Sequence, residues 1–400
     1  MVRSLLFWLL TALLLAAVPA AFLALAWQLL LAYPTESLAV LVLLLGLQVL
    51  VWVALNFFAS ALSLASLATV IAQLQEKLLP ELTDISWRED LDTESRTLFA
   101  RAWSTRKLIT AGVVAAVVAA AAAHSLVRGL AAEDDAIIIA HRGAAGAAPE
   151  NTLAAIRRAM EDGTDWVEID VQESRDGEVV VVHDSDFMKL AGNPLKVWDG
   201  DLAEIQQIDI GSWFAPEFSG ERPPTLRQVL AETQGRATLL IELKYYGHDE
   251  ALEQRVVDVV EEMGMADEVI AMSLHLPGVT KLKTLRPQWT VGLLAATAVG
   301  DLSRLDVDFL AVNAGMATPA FIRRANSAGK PVYVWTVNDA LSMTSWLSRG
   351  VDGLITDEPA MAREVMAQRA QLGPTERLLL SASLFFGKPM PPRTYRDNSP

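Results

Sequence analysis

"IIIAHRGAAGAAPENT" (Ile137–Thr152) reads as one strand-to-helix unit. Three isoleucines and an alanine make a run short enough for a strand and apolar enough to be covered on both faces. The run stops at His141 and Arg142 and passes through a loop of small residues. "PENT" then opens a helical pattern, Asn151–Glu161, with Asn151 or Thr152 as its cap. A covered strand thus delivers a histidine and an arginine to its C-terminal end and turns directly into a helix.

Seven more runs of this kind follow: "WVEIDV" (166–171), "ATLLIEL" (237–243), "EVIAMSL" (268–274), "TVGLLA" (290–295), "DFLAVN" (308–313), "PVYVWTV" (331–337) and "DGLITD" (352–357). Helical patterns such as Leu252–Met263, Pro319–Ala328 and Asp339–Ser348 lie between them. Eight apolar strands with helical crossovers predict an α/β fold, a parallel (β/α)₈ barrel of the TIM type, over residues 133–370. Chemistry in such barrels sits at the C-terminal ends of the strands. There the sequence keeps His141–Arg142, Glu168 and Asp170, Glu242 and Lys244, Asn313, Trp335 and Asp357.

"EVVVVHD" (178–184) is an extra strand outside this alternation. Asp176–Gly177 is a strong signal for a two-residue hairpin turn, which pairs Arg175 with Glu178 and, farther on, Asp170 with His183. The segment Ser185–Pro224 has little periodicity and is expected to be a small insertion over the barrel mouth.

The first third of the chain has a different chemistry. Leu5–Ala32 carries no charge and is long enough to cross a bilayer core of about 30 Å. A second apolar run spans 38–72 and a third 108–127, giving an all-α transmembrane region of about three helices over 1–131. Between the second and third runs, the 74–107 loop holds Lys77, Arg88, Arg96, Arg101, Arg106 and Lys107, whereas the 33–36 turn has no Lys or Arg. Positive charge stays cytoplasmic, so three spans place the barrel on the extracytoplasmic side of the cell membrane, with 371–400 as a tail. A 38–72 run that crosses twice would break this topology. A net charge of −15 argues against a nucleic-acid partner, and the absence of Cys excludes disulfide and thiolate chemistry.

Glu168, Asp170 and Glu242 converge on one mouth, Glu168 and Asp170 on the same side of a strand because they are two apart. Like charges gather in this way around a cation or proton, and oxygen ligands suit Ca²⁺ or Mg²⁺. Ion pairing to Arg142 and Lys244 is the plainer alternative. His141 and His183 reach the same mouth as candidate acid and base, and Arg142 and Lys244 supply positive charge for a phosphodiester. Trp335 could stack on a substrate or fill the core. His124, His248 and His275 have no such company.

The ordered motifs "HRG", "PENT", "EIDVQ", "DGEVVVVHD", "IELK", "VWTVN" and "ITDEP", spanning 137–364, resemble the glycerophosphodiester phosphodiesterase family. The resemblance implies a (β/α)₈ barrel with an insertion after "HD" and hydrolysis of glycerophosphodiesters to glycerol 3-phosphate and an alcohol with one divalent cation. It makes His141 and His183 the general acid and base and Glu168, Asp170 and Glu242 the metal ligands. It places Arg142 and Lys244 on the phosphate and Trp335 near the substrate. Ser174 and Arg175 depart from the usual Thr and Lys of the pattern. The apolar first third is similar in composition to membrane regions fused to some bacterial members. Two alternatives stay open: a lysophospholipase D or phospholipase-C-like enzyme acting on lysophospholipids, and a non-catalytic membrane-anchored binding domain.

The topology is testable because the chain has no Cys of its own. Asp92→Cys and Ser327→Cys, made singly, are exposed in intact cells to a membrane-impermeant thiol reagent. Labelling at 327 and not at 92 is expected; the opposite pattern refutes the arrangement.

Overall fold

In chain order the strands are β1 (Ile137–Ala140), β2 (Trp166–Glu173), β3 (Val179–Val181), β4 (Asp186–Phe187), β5 (Asn193–Lys196) and β6 (Thr238–Leu243). They continue as β7 (Val269–Ser273), β8 (Val291–Ala295), β9 (Leu310–Asn313), β10 (Val332–Trp335) and β11 (Gly353–Thr356). The structure is a computed structural model that describes residues 135–373 except 298 and 299, plus positions 21, 110, 376 and 377. Those isolated positions aside, the transmembrane region expected over 1–131 lies outside the described residues, as does the tail beyond 373. Among the described residues no helix is long and apolar enough to cross a membrane.

All eight expected strands form, and they close. β1, β2, β6, β7, β8, β9, β10 and β11 pair in that order, all parallel, and β11 pairs back to β1 from Ile137 with Gly353 to Ala140 with Thr356. Closure leaves none of the eight barrel strands with an unpaired edge, and each turns one face into the barrel and the other toward the outer core. The period of two along each strand therefore sorts its apolar residues into two cores. Outward residues such as Ile138, Ile169, Ile241 and Val334 pack under the helices. Inward residues Ile139, Leu240, Met272, Leu294, Phe309, Tyr333 and Ile355 fill the barrel.

The helices are α1 (Leu153–Glu161), α2 (Met188–Ala191), α3 (Leu202–Ile205), α4 (Leu226–Thr233) and α5 (Leu252–Glu262). They continue as α6 (Leu276–Leu285), α7 (Pro319–Ser327), α8 (Ala340–Ser348) and α9 (Pro359–Ala370). Thr152 caps α1, accepting the Ala155 amide. One crossover departs from the expected alternation: among the described residues β8 and β9 are linked by only a short 3₁₀ turn, Leu302–Arg304.

The hairpin forms, but its register differs by one residue from the expectation. Val171 pairs with Val181 and Glu173 with Val179, so Ser174 faces Glu178 and the Val182 amide donates to Asp170. His183 is therefore not directly opposite Asp170. The turn has three residues: the Gly177 amide closes on the Ser174 carbonyl at 2.9 Å, with Gly177 in the left-handed region at φ 83°. The Ser174 hydroxyl locks it, accepting the Glu178 amide at 2.9 Å and donating to Asp176 at 2.6 Å. Asp-Gly serves this turn as well as the two-residue one. The valine run could not arbitrate, because both faces of β3 are covered. Val179 and Val181 join the barrel's outer core, while Val180 and Val182 join a separate core with Phe187, Leu190, Val197, Ile205 and Ile210. This second core folds the Ser185–Pro224 insertion around the short β4–β5 pair.

Inside the barrel Tyr333 meets Trp166 edge-on at 5.3 Å and Phe309 at 5.2 Å. Gly292 on β8 makes room for Phe309: a Cβ there would lie 2.2 Å from its ring. Gly292→Ala is expected to destabilise the barrel by about 1–3 kcal/mol through overpacking, read as a lower thermal midpoint. Phe309→Leu in the same chain should restore part of the loss. An unchanged midpoint for Gly292→Ala would show that the interior can yield there.

Candidate active site

The period of two that fills the barrel also builds its mouth. On β1 the inward series Ile137, Ile139 continues to His141; on β2 Trp166 is followed by Glu168 and Asp170; on β6 Leu240 is followed by Glu242 and Lys244. On β10 and β11 the series ends in Trp335 and Asp357. Hydrophobic residues seal the lower barrel and polar ones emerge above it.

Asp170 and Glu242 are lateral partners in the β2–β6 ladder. With Glu168 they offer three buried carboxylate oxygens within 4.8 Å of one another. Glu168 Oε2 accepts the Arg142 backbone N–H at 2.7 Å, and Asp170 Oδ2 accepts the Asn151 amide at 2.9 Å. Their other oxygens, Glu168 Oε1 and Asp170 Oδ1, are buried with no hydrogen-bond partner among the described residues. Unsatisfied buried oxygens are costly. Oxygen donors of this number and spacing fit a hard divalent cation.

Two cations face the three carboxylates. Lys244 Nζ lies 3.0 Å from Glu242 and 3.7 Å from Asp170. Arg142 Nε lies 3.3 Å from Asp170, and Nη1 donates to the buried Glu150 at 3.1 Å. Burial and the charge of Asp170 push Glu168 up to about 8. Glu242 is raised by burial, with Lys244 opposing. Burial would raise Asp170 as well, yet His183, Lys244 and Arg142 hold it far below the usual carboxylate range. Burial and mutual repulsion thus favour a proton on Glu168, while the surrounding cations keep Asp170 ionised.

The two histidines border the same cavity with Arg142, Glu168, Glu242, Lys244 and Trp335. His141 Nδ1 lies 2.7 Å from Asp357 Oδ1, and His183 Nδ1 lies 2.7 Å from Asp184 Oδ1. Each ring therefore keeps Nε2 for the cavity. Burial and Arg142 pull the His141 pKa down, but Asp357 and Glu168 outweigh them and raise it. Although the hairpin register places Val182 opposite Asp170, His183 in the next bend still reaches the mouth. Trp335 forms an apolar wall with Met272, Leu274, Leu294 and Ile355. His248 stacks on Trp198 of the insertion at 4.2 Å, and His275 lies against Tyr245.

Sequence reasoning missed several members of this network. Asn151 was a candidate helix cap; Thr152 caps instead, and Asn151 clamps Asp170, donating from Nδ2 and accepting the Asp170 amide. Glu150, Asp184 and Asn338 are not singled out by the sequence, although "PENT", "HD" and "VWTVN" contain them, and Asp357 is placed at the mouth there without a role. Lys189 on α2 bonds Glu150 at 2.9 Å and ties the insertion to the site.

A family model described as "Glycerophosphoryl diester phosphodiesterase family" matches residues 141–361. A glycerophosphodiester phosphodiesterase of Caldanaerobacter subterraneus is 32% identical over 233 residues, which is 56% of this chain and 94% of that protein. A phosphodiesterase of Oleispira antarctica, solved in complex with the product sn-glycerol-3-phosphate, is 28% identical with a TM-score of 0.55, covering 58% of this chain and 96% of that one. A glycerophosphodiester phosphodiesterase structure from Agrobacterium tumefaciens is 27% identical with a TM-score of 0.51, covering 57% and 99%. Barrel order, motif order and these matches agree over the same segment: the chain belongs to the glycerophosphoryl diester phosphodiesterase family and is a phosphoric diester hydrolase.

Proposed function

We propose that the barrel hydrolyses glycerophosphodiesters to glycerol 3-phosphate and an alcohol, with one Ca²⁺ or Mg²⁺ held by Glu168, Asp170 and Glu242. The observation that carries this reading is a pair of histidines, each anchored through Nδ1 to its own carboxylate, beside a buried three-carboxylate cluster. A bound cation supplies Lewis-acid polarisation of a phosphoryl oxygen. Arg142 and Lys244, already at the cluster, bind the phosphate's negative charge and hold the phosphorus between the histidines. One histidine accepts the proton of the attacking water at Nε2. The other donates a proton from Nε2 to the departing alcohol oxygen as its bond to phosphorus breaks. Trp335 and the apolar wall orient the carbon skeleton and exclude water from that side.

That wall supports a second substrate, a lysophospholipid. Leu274 at its rim is 49% exposed, Leu276 two residues on is exposed, and so is Tyr246 in the segment after β6. The insertion adds a chain of edge-on contacts from Trp213 through Phe214 to Phe218. The same proposal anchors the barrel outside the cell membrane through 1–131, supported by the uncharged runs and the basic loop. The deciding assay compares glycerol 3-phosphate release from glycerophosphocholine and glycerophosphoethanolamine with turnover of lysophospholipids, with and without chelator.

His141→Ala and His183→Ala should each lower kcat by about 10²-fold or more. KM should change much less, because Arg142, Lys244 and the carboxylates remain. Near-normal turnover in either variant would remove that histidine from the proton transfers.

The acid cluster also predicts a pH dependence. Without cation, the folded state keeps a proton on Glu168 up to about 8, whereas the unfolded chain sheds it near 4.5. Stability of the chelated protein should therefore fall as pH rises from about 4.5 to about 8. Binding of Ca²⁺ or Mg²⁺ at pH 7 should release about one proton, measurable by calorimetry in buffers of different ionisation enthalpy. Glu242→Gln should weaken cation binding by about tenfold or more by removing a ligand charge. Cation binding without proton release would contradict the assignment of the ligands.

A further inference from the structure

Two side chains of the motifs "VWTVN" and "ITDEP", Asn338 and Asp357, take no step in the reaction as described, yet both converge on His141. Asp357 Oδ1 meets His141 Nδ1 at 2.7 Å, with the two side chains only 5% and 14% exposed. Behind Asp357 stands Asn338. Its Oδ1 accepts the backbone N–H of Asp357 at 2.9 Å and the Thr356 hydroxyl at 3.2 Å. Its Nδ2 lies 2.5 Å from Asp357 Oδ2.

The sense of every bond in this chain follows from its first. A backbone N–H can only donate, so it holds the oxygen of Asn338 toward itself. The Asn338 amide nitrogen must then face Asp357 Oδ2 and donate to it. That leaves Asp357 Oδ1 to accept from His141, which places the ring proton on Nδ1 and the lone pair on Nε2. We infer that Asn338 and Asp357 are positioning residues that set the tautomer and orientation of His141, presenting Nε2 to the phosphodiester. His183 lacks an equally closed arrangement: its partner Asp184 is the next residue and is 30% exposed, within reach of water. The relay therefore acts on one of the two histidines.

The inference rests on the phosphodiesterase reading of the site, so its test includes a readout that needs no turnover. In the full chain, in detergent and without substrate, ¹⁵N spectra of His141 are recorded above the pH at which the ring loses its charge. The expected tautomer carries its proton on Nδ1. A proton on Nε2 in the unmodified enzyme overturns the relay, whatever the substrate proves to be. Asp357→Asn should reverse the tautomer, because Asn338 still claims the amide oxygen and turns the new NH₂ toward Nδ1. In that variant kcat should fall by about 10²-fold or more, as a wrong tautomer does in other histidine-dependent hydrolases, with KM within about threefold. Asn338→Ala should cost about tenfold in kcat alone and under about twofold in an Asp357→Ala background. Independent, multiplying losses would show that Asn338 does not act through Asp357. Loss of glycerophosphodiester hydrolysis in the unmodified enzyme, with the Nδ1 tautomer intact, would instead count against the substrate reading.

Discussion

Three carboxylates held within 4.8 Å of one another inside a barrel cannot all be ionised unless positive charge comes with them. Much of the mouth answers that constraint. Arg142 and Lys244 bring two positive charges against three negative ones, and burial together with the charge of Asp170 pushes Glu168 up to about 8. The pattern continues outward in layers of alternating sign. Arg142 is held by Glu150, and Glu150 is held by Lys189 from the insertion. The insertion is therefore bound into the electrostatics of the site. A divalent cation would complete the balance while satisfying the two carboxylate oxygens that have no hydrogen-bond partner among the described residues.

The barrel makes this concentration of charge tolerable by separating it from the hydrophobic interior along a single axis. Each strand alternates, so one set of side chains supports the helices and the other fills the barrel from bottom to top. Trp166, Tyr333 and Phe309 seal the lower end, and the same parity carries Glu168, Asp170, Glu242 and His141 to the upper end. A shift of one residue in a barrel strand would exchange these sets and bury charge under the helices. The positions of the acids and the packing of the core are one constraint.

This is why so much was legible in the sequence. Strands covered on both faces appear as uninterrupted apolar runs, and acids or histidines at their ends stand out against them. The strand order of a closed parallel barrel follows from that count. What was not legible depends on choices that composition leaves degenerate. Asp-Gly allows two turns, and a valine strand covered on both sides gives no preference for either register. Asn151 and Thr152 are both good caps; the choice between them depends on Asp170, nineteen positions away. The partners of His141 depend on β11 meeting β1, a contact that closure creates between the ends of the barrel sequence.

The first βα loop shows how closely scaffold and site depend on each other. Arg142 and Asn151 both adopt left-handed backbone, at φ 52° and 58°, which costs a residue other than glycine of order 1–3 kcal/mol. Hydrogen bonds to the acid cluster hold them there. The Arg142 amide donates to the Glu168 carboxylate, the Gly143 amide to the Glu168 carbonyl, and the Asn151 amide to the Arg142 carbonyl. The Asn151 side chain then bonds both the side chain and the backbone of Asp170. Tight packing reinforces the clamp: at Gly143, where φ is 81°, a Cβ would come within 2.6 Å of the α1 backbone. The carboxylates that could hold a cation thus also hold the loop that aims Arg142. Removing either acid would release backbone strain as well as charge, so the carboxylate cluster and the placement of the Arg142 guanidinium cannot be altered independently at this site.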